Sequence, residues 1–252
     1  MQKSAIGLLG SQARLEMLSR DGLAALVRRC KMRMGKVKWR LPHAAVSTHN
    51  GENMADHVLK ITEFLEETTL LLKQLDSSAI LRAEQILLHC YHRRGRVYTL
   101  GNGGSASTAQ HFACDLAKYV IPEGGRPFDV RCLTDNIALY TAWANDAARE
   151  DVFVNQLRGL LNPEDVLLAI SVHGGARFSA DLVRAVRYAN QVGAATVSLV
   201  GFDGGLLHRD STCSIRVPIE STPQTEAIHL VIEHLLVSLI RNALACNEPD
   251  AA

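Results

Sequence analysis

The sequence predicts an α/β protein: a three-layer αβα sandwich around a doubly wound sheet of five parallel strands, preceded by N-terminal helices. Three observations predict it. Five short apolar runs, at 97–100, 130–133, 166–170, 196–200 and 214–218, are continuous rather than alternating, as in strands buried on both faces. Helix-like sequence separates them, which reads as successive β-α-β units. Small-residue turns follow the first, third and fourth runs, and parallel sheets bind ligands at such strand ends.

Taken in chain order, residues 54–75 and 78–94 come first as two amphipathic helices. Val58, Ile61, Phe64 and Leu65, then Ile80, Ala83, Ile86 and Leu87, recur at three- and four-residue steps. Asp76, Ser77 and Ser78 lie between them as cap residues. The five β-α units follow, and a last helix over 224–243 is apolar on most faces, as a packed or subunit-interface helix would be.

Ahead of all this, residues 1–53 carry ten Lys/Arg against three Asp/Glu, and the remainder carries seventeen against twenty-three. The basic run at 28–40, Pro42 and the polar stretch 47–52 read as a weakly structured basic extension ending in a linker. The expected organisation is therefore an extension, 1–53, and one domain, 54–246. The basic run has a single Trp and no interleaved aromatics, so it reads as solvated and nucleic acid is not an expected partner.

Composition bounds the rest. With 252 residues, 47% apolar and 21% charged, the chain can bury a core without disulfide staples. Its six cysteines, at 30, 90, 114, 132, 213 and 246, form no C-x-x-C pair and read as reduced thiols. No apolar stretch reaches the ~20 residues of a membrane span, and the N-terminus lacks a secretory pattern, so a cytoplasmic protein without membrane partners is expected.

The chemistry belongs at the strand ends. Gly101-Asn102-Gly103-Gly104-Ser105 follows the first strand and opens a helix, where free N–H groups and the helix dipole favour an anion. It is neither the dinucleotide fingerprint nor the P-loop, since the glycine spacing differs and no Lys follows. Ser171-Val172-His173-Gly174-Gly175 and Gly201-Phe202-Asp203-Gly204-Gly205 make two further turns on the same edge. His111 and Asp115, four apart, share one helix face; on the last helix Glu226 and His234, eight apart, share another, with His229 pointing elsewhere. Such pairs suit a divalent metal or acid–base chemistry, and equally suit histidines that satisfy hydrogen bonds between packed helices.

The runs Leu100 to Ser105 and Ala109-Gln110-His111-Phe112 resemble the sugar isomerase (SIS) domain family. Leu133-Thr134-Asp135-Asn136, Ala144-Asn145-Asp146, Val152-Phe153 with Gln156, the turn from Gly201 to Gly205, and Ile228-His229 with His234 extend the resemblance over about residues 54–243, nearest to the phosphoheptose isomerases. The resemblance implies the SIS fold and a cytoplasmic homotetramer with active sites between subunits. It also implies a divalent metal, usually zinc, and interconversion of sedoheptulose 7-phosphate with a heptose 7-phosphate. Its metal ligands fall on His111, Asp115, Glu226 and His234, with Asp115 in place of a Glu and Glu226 in place of a Gln. Asp115 and His234 would also be the catalytic acid–base pair. Substrate would meet Asn102, Gly103, Gly104, Ser105, Ser171 and Ser179, with His173 and Arg177 adding charge and Asp146 at the sugar hydroxyls. The family's serine-rich phosphate loop is replaced here by Ser171 to Ala176 with about three extra residues, which leaves a non-catalytic sugar-phosphate-binding regulator or replication-initiator scaffold as the rival reading.

Overall fold

The computed structural model describes residues 54–175 and 178–246. The chain divides into units 1–57 and 58–252. The basic extension expected at 1–53 lies outside the described residues, as does Arg177.

Helix α1 runs Met54–Lys73 and α2 Ser77–His92. The Asp76 carboxylate caps α2 by accepting from the N–H groups of Ser78 and Ala79 at 2.9 and 3.3 Å, as the cap cluster predicted. There follow β1 Arg96–Gly101, α3 Gly104–Lys118, β2 Asp129–Cys132, α4 Ile137–Asp146, a 3₁₀ turn Arg149–Asp151 and α5 Val152–Leu157. The chain continues through β3 Val166–Ser171, α6 Ala180–Val192, β4 Ala195–Val200, α7 Gly205–Asp210, β5 Cys213–Arg216 and α8 Thr222–Cys246. All five strands are parallel, in the order β2-β1-β3-β4-β5. The order reverses between β1 and β3, and a crevice opens where neighbouring connections leave to opposite faces.

Alternate strand residues feed two cores. Val97, Leu168, Ile170, Val197 and Leu199 pack beneath α2, α3 and α8. Tyr98, Leu100, Leu167, Ala169 and Val200 pack against α5, α6 and α7. Burial on both faces is why these strands read as unbroken apolar runs.

Helix α8 is long and apolar enough by length and composition to cross a membrane. The expectation that no such stretch exists is corrected here. Its apolarity serves the first core, where Ile228, Ile232, Leu236, Val237, Ile240 and Leu244 are buried. The five cysteines among the described residues are free.

His229 is buried in the same helix, 1% exposed, and neither ring nitrogen makes a hydrogen bond of good geometry among the described residues. Burial pushes its pKa down from 6.5 to about 4, the Val200 backbone offsetting only part of the shift. The folded state therefore holds a neutral ring that the unfolded chain protonates more readily. Its contribution is fully present above pH 6.5 and is lost as pH falls through about 4, up to ~3 kcal/mol. His229→Gln is expected to lose less stability than the parent between pH 7 and 4.5 in denaturant titrations. Equal losses would show that His229 does not drive acid unfolding.

Candidate active site

Helix α3 starts in the turn after β1, where Gly103 takes φ 56° at the cap position without a side-chain capping bond. The missing Cβ of Gly104 leaves room for α8: a Cβ there would lie 2.4 Å from Glu226 Oε1. From this contact the two helices run on side by side, and two to three turns further along each, four side chains converge.

His234 Nδ1 lies 3.5 Å from both Asp115 Oδ2 and Glu233 Oε2, and His111 Nε2 lies 3.7 Å from Asp115 Oδ2. The two imidazoles meet edge-on with centroids 4.9 Å apart. One donor atom from each of His111, Asp115, Glu233 and His234 falls within 4.8 Å of the others. The histidines are half-exposed, Asp115 is mostly covered and Glu233 is fully buried. As a carboxylate, Glu233 has no hydrogen-bond donor to either oxygen among the described residues. Burial first, then the Asp115 charge and a hydrogen bond to Asp115, push its pKa up to about 8. A proton shared with Asp115, or a cation, answers that arrangement. Two imidazoles and two carboxylates suit zinc or a similar divalent ion.

Glu226 is not in this cluster, against the sequence expectation. Eight residues along α8 is about 12 Å of rise. That distance carries Glu226 back to the head of α3, against Gly104, while His234 faces Asp115. Glu233 stands seven residues on from Glu226, nearly the same angular position, and supplies the second carboxylate. Its signal in the sequence was an acid amid an apolar helix, beside a histidine already suspected.

The remaining expected residues gather less tightly. The Asn102 amide is committed to the buried carboxylate of Asp181, Nδ2 donating to Oδ1 and Oδ2 at 3.1 and 3.0 Å. The two oxygens of that carboxylate share one Asn102 N–H, and the second N–H and the side-chain carbonyl make no other hydrogen bond among the described residues. Ser105, in the first turn of α3, and Ser171, at the end of β3, are both buried. His173 packs against the rings of Phe178 and Phe202, at 5.7 and 4.4 Å between centroids. Ser179 does stand at the N-cap of α6, but in the left-handed region at φ 63° and with no side-chain capping bond. Asp146 ends α4, exposed, and accepts from Asn145 Nδ2 at 2.7 Å; no described contact ties it to the cluster. Asp181 was missed altogether, since a lone acid in a helical first turn reads as an ordinary dipole partner.

Residues 63–201, more than half of the chain, match the SIS domain family. A phosphoheptose isomerase of Helicobacter pylori is 36% identical over 73% of this chain and 94% of its own. The lincomycin biosynthesis protein LmbN of Streptomyces lincolnensis is 38% identical over 70% of this chain, which spans 66% of that protein. Among solved structures, the phosphoheptose isomerase of Francisella tularensis superposes with a TM-score of 0.67 at 27% identity, covering 74% of this chain and 98% of that one. The chain belongs to the SIS domain family, in its phosphoheptose isomerase-like branch.

Proposed function

We infer that the protein is an aldose–ketose isomerase acting on a sugar phosphate, of the phosphoheptose isomerase type. Sedoheptulose 7-phosphate or a close analogue is the substrate proposed. The observation that carries this reading is the convergence of His111, Asp115 and His234 between α3 and α8, in a chain alignable with phosphoheptose isomerases over nearly their whole length.

The reaction is redox-neutral. A proton leaves C1 of the open-chain ketose, an enediol forms, and the proton returns to C2 while another passes from O1 to O2. Asp115 takes and returns the carbon-bound proton. His234, with Nδ1 3.5 Å from Asp115 Oδ2, moves the hydroxyl proton. His111, Asp115, Glu233 and His234 would hold zinc or another divalent ion, which supplies charge to steady the oxygen of the enediol. Gly103, Gly104, Ser105, Ser171 and His173 are assigned to the phosphate end, and Asp146 to sugar hydroxyls contributed across a subunit boundary.

A homotetramer is proposed on the exposed apolar side chains of α1 and α8, among them Val58, Ile61, Leu65, Val231 and Leu235. The free thiols support a reducing, cytoplasmic setting. The regulator or scaffold reading is not favoured, because it leaves the α3–α8 cluster without a role.

The test is NMR observation of five- to eight-carbon ketose phosphates incubated with the protein. Aldose phosphate resonances are expected from at least one of them. Asp115→Asn should lower the rate about 10²- to 10⁴-fold, the worth of a positioned proton-transfer group. No product from any of these sugars would end the isomerase reading.

A further inference from the structure

A cavity of about 300 Å³ opens at the amino ends of β3 and β4, where Val166 and Ala195 line it. This is the sheet edge opposite the small-residue turns, and no lining residue belongs to those turns or to the α3–α8 cluster. Every lining residue is among those described. Helix α2 forms one wall and the turn 163–165 the other. Local packing fixes both. Asp165, 5% exposed, accepts from the backbone N–H groups of Arg96 and Asn162, each at 2.8 Å. A Cβ on Gly95 would lie 2.1 Å from the Glu164 carbonyl oxygen, so the missing side chain lets the turn close on the end of α2.

The polar groups of the lining are not equally available. Arg93 holds the Glu164 carboxylate through Nε and Nη2, and its Nη1 lies 3.4 Å from His89 Nε2. With Nε2 facing a donor, the neutral His89 ring carries its hydrogen on Nδ1. Asp165 is taken up by its two N–H donors. The Cys90 thiol is pushed up to about 12, by burial first, and stays neutral. Arg82 is left, an exposed guanidinium with no hydrogen bond or ion pair among the described residues. It stands with Gln85 and His89 at i, i+3 and i+7 of α2, one stripe of donors on a single helix face. Ile86, Pro163, Val166 and Ala195 supply apolar wall.

A fixed apolar pocket with a few convergent polar groups is the ordinary form of a small-molecule site, and this one lies at the small end of the usual range of volumes. The donor stripe calls for an anion. Glu164 and Asp165 work against a second negative charge, so a carboxylate fits better than a phosphate dianion, and Arg82 can meet it with two parallel N–H bonds. We propose that this cavity is a separate ligand site for a small organic monocarboxylate. Its carboxylate sits on Arg82, Gln85 and His89, and its apolar body lies against Ile86, Pro163 and Val166. Nothing in this proposal depends on the isomerase reading.

Benzoate, phenylacetate and isovalerate are the probes, titrated into the full chain and followed by ligand-observed NMR. At least one should bind saturably, and Arg82→Gln should weaken it about tenfold or more, the worth of a charge-assisted hydrogen bond. The corresponding neutral amide should bind the parent more weakly than its acid by a similar factor. Gln85→Glu, which sets a carboxylate on the same stripe, should also weaken binding, and it decides the matter should Arg82→Gln fail to fold. No saturable binding of any of the three acids overturns the proposal. So does equal affinity in the parent and the folded variant, or an amide that binds as well as its acid. Inorganic phosphate that binds more tightly than all three acids and is lost in Arg82→Gln also overturns it. Sedoheptulose 7-phosphate should leave the carboxylate bound; displacement would place it in the α3–α8 site instead. A parent that turns over no sugar phosphate ends the isomerase reading and leaves this test intact.

Discussion

Zinc affinity is expected to rise about fivefold between pH 7 and pH 8 and to fall tenfold or more when Glu233 or His234 becomes Gln. The pH dependence comes from Glu233, whose carboxyl is held up to about 8 by burial and by Asp115. About a tenth of it is ionised at pH 7 and half at pH 8, and a bound ion must displace the remaining protons. Glu233→Gln removes both a ligand and that proton, so its residual affinity should be flat over this window. His234→Gln removes a donor atom 3.5 Å from both carboxylates, and losses of 10- to 100-fold are usual even for groups that only support a ligand. Glu226→Gln should retain its metal, since that side chain lies at Gly104 rather than in the cluster. Metal content by mass spectrometry and competition with a chromogenic chelator at pH 7 and 8 check all three. If Glu226→Gln loses as much affinity as Glu233→Gln, the ligand set is the one carried over from the family and the cluster seen here is not the binding state. The metal-free protein carries the same group in another form: Glu233's contribution to stability is full below about 4.5 and is lost as pH rises through about 8.

Gly174→Ala is expected to destabilise the fold by about 3 kcal/mol or more, lowering Tm by roughly 6–12 °C for a domain of this size. Gly174 sits at φ +58°, and a Cβ there would lie 2.0 Å from the Gly204 carbonyl oxygen and 2.4 Å from its carbon. Both are backbone atoms and cannot swing aside. The Gly174 carbonyl also accepts from the Leu207 N–H at 2.9 Å, so the segments after β3 and β4 are locked together at the carboxyl ends of the strands. Gly124 supplies the control. It also has positive φ, at +74°, but nothing lies within 4 Å of its would-be Cβ, so Gly124→Ala should cost only the ~1 kcal/mol of backbone strain. Equal Tm losses in the two variants would show that the turns can separate without penalty.

The sheet was legible because its signal is local. Each predicted strand overlaps an observed one, with ends shifted by a residue or two, since burial on both faces writes itself as a continuous apolar run. The Asp76 cap and the shared face of His111 and Asp115 were legible for the same reason: a cap or an i,i+4 pair depends only on the geometry of one helix. The site stopped being legible where two helices had to meet. Periodicity allowed Glu226 to share a face with His234, yet which acid of α8 reaches Asp115 depends on how far α8 slides along α3. That offset is decided by the close approach of α8 to the side-chain-free Gly104 and by the buried apolar stripe from Ile228 to Leu244. Asp181 tells the same story across the sheet. In the sequence it is one acid in a first turn; only the adjacency of β1 and β3 brings its carboxylate to the Asn102 amide. The sequence by itself determined the class of fold, the strand-end turns and the titratable residues that share a helix face, because each is set within a single element. The tertiary structure alone decided which carboxylates meet which partners, because packing distances between elements separated by tens to more than a hundred residues are not encoded in any local period.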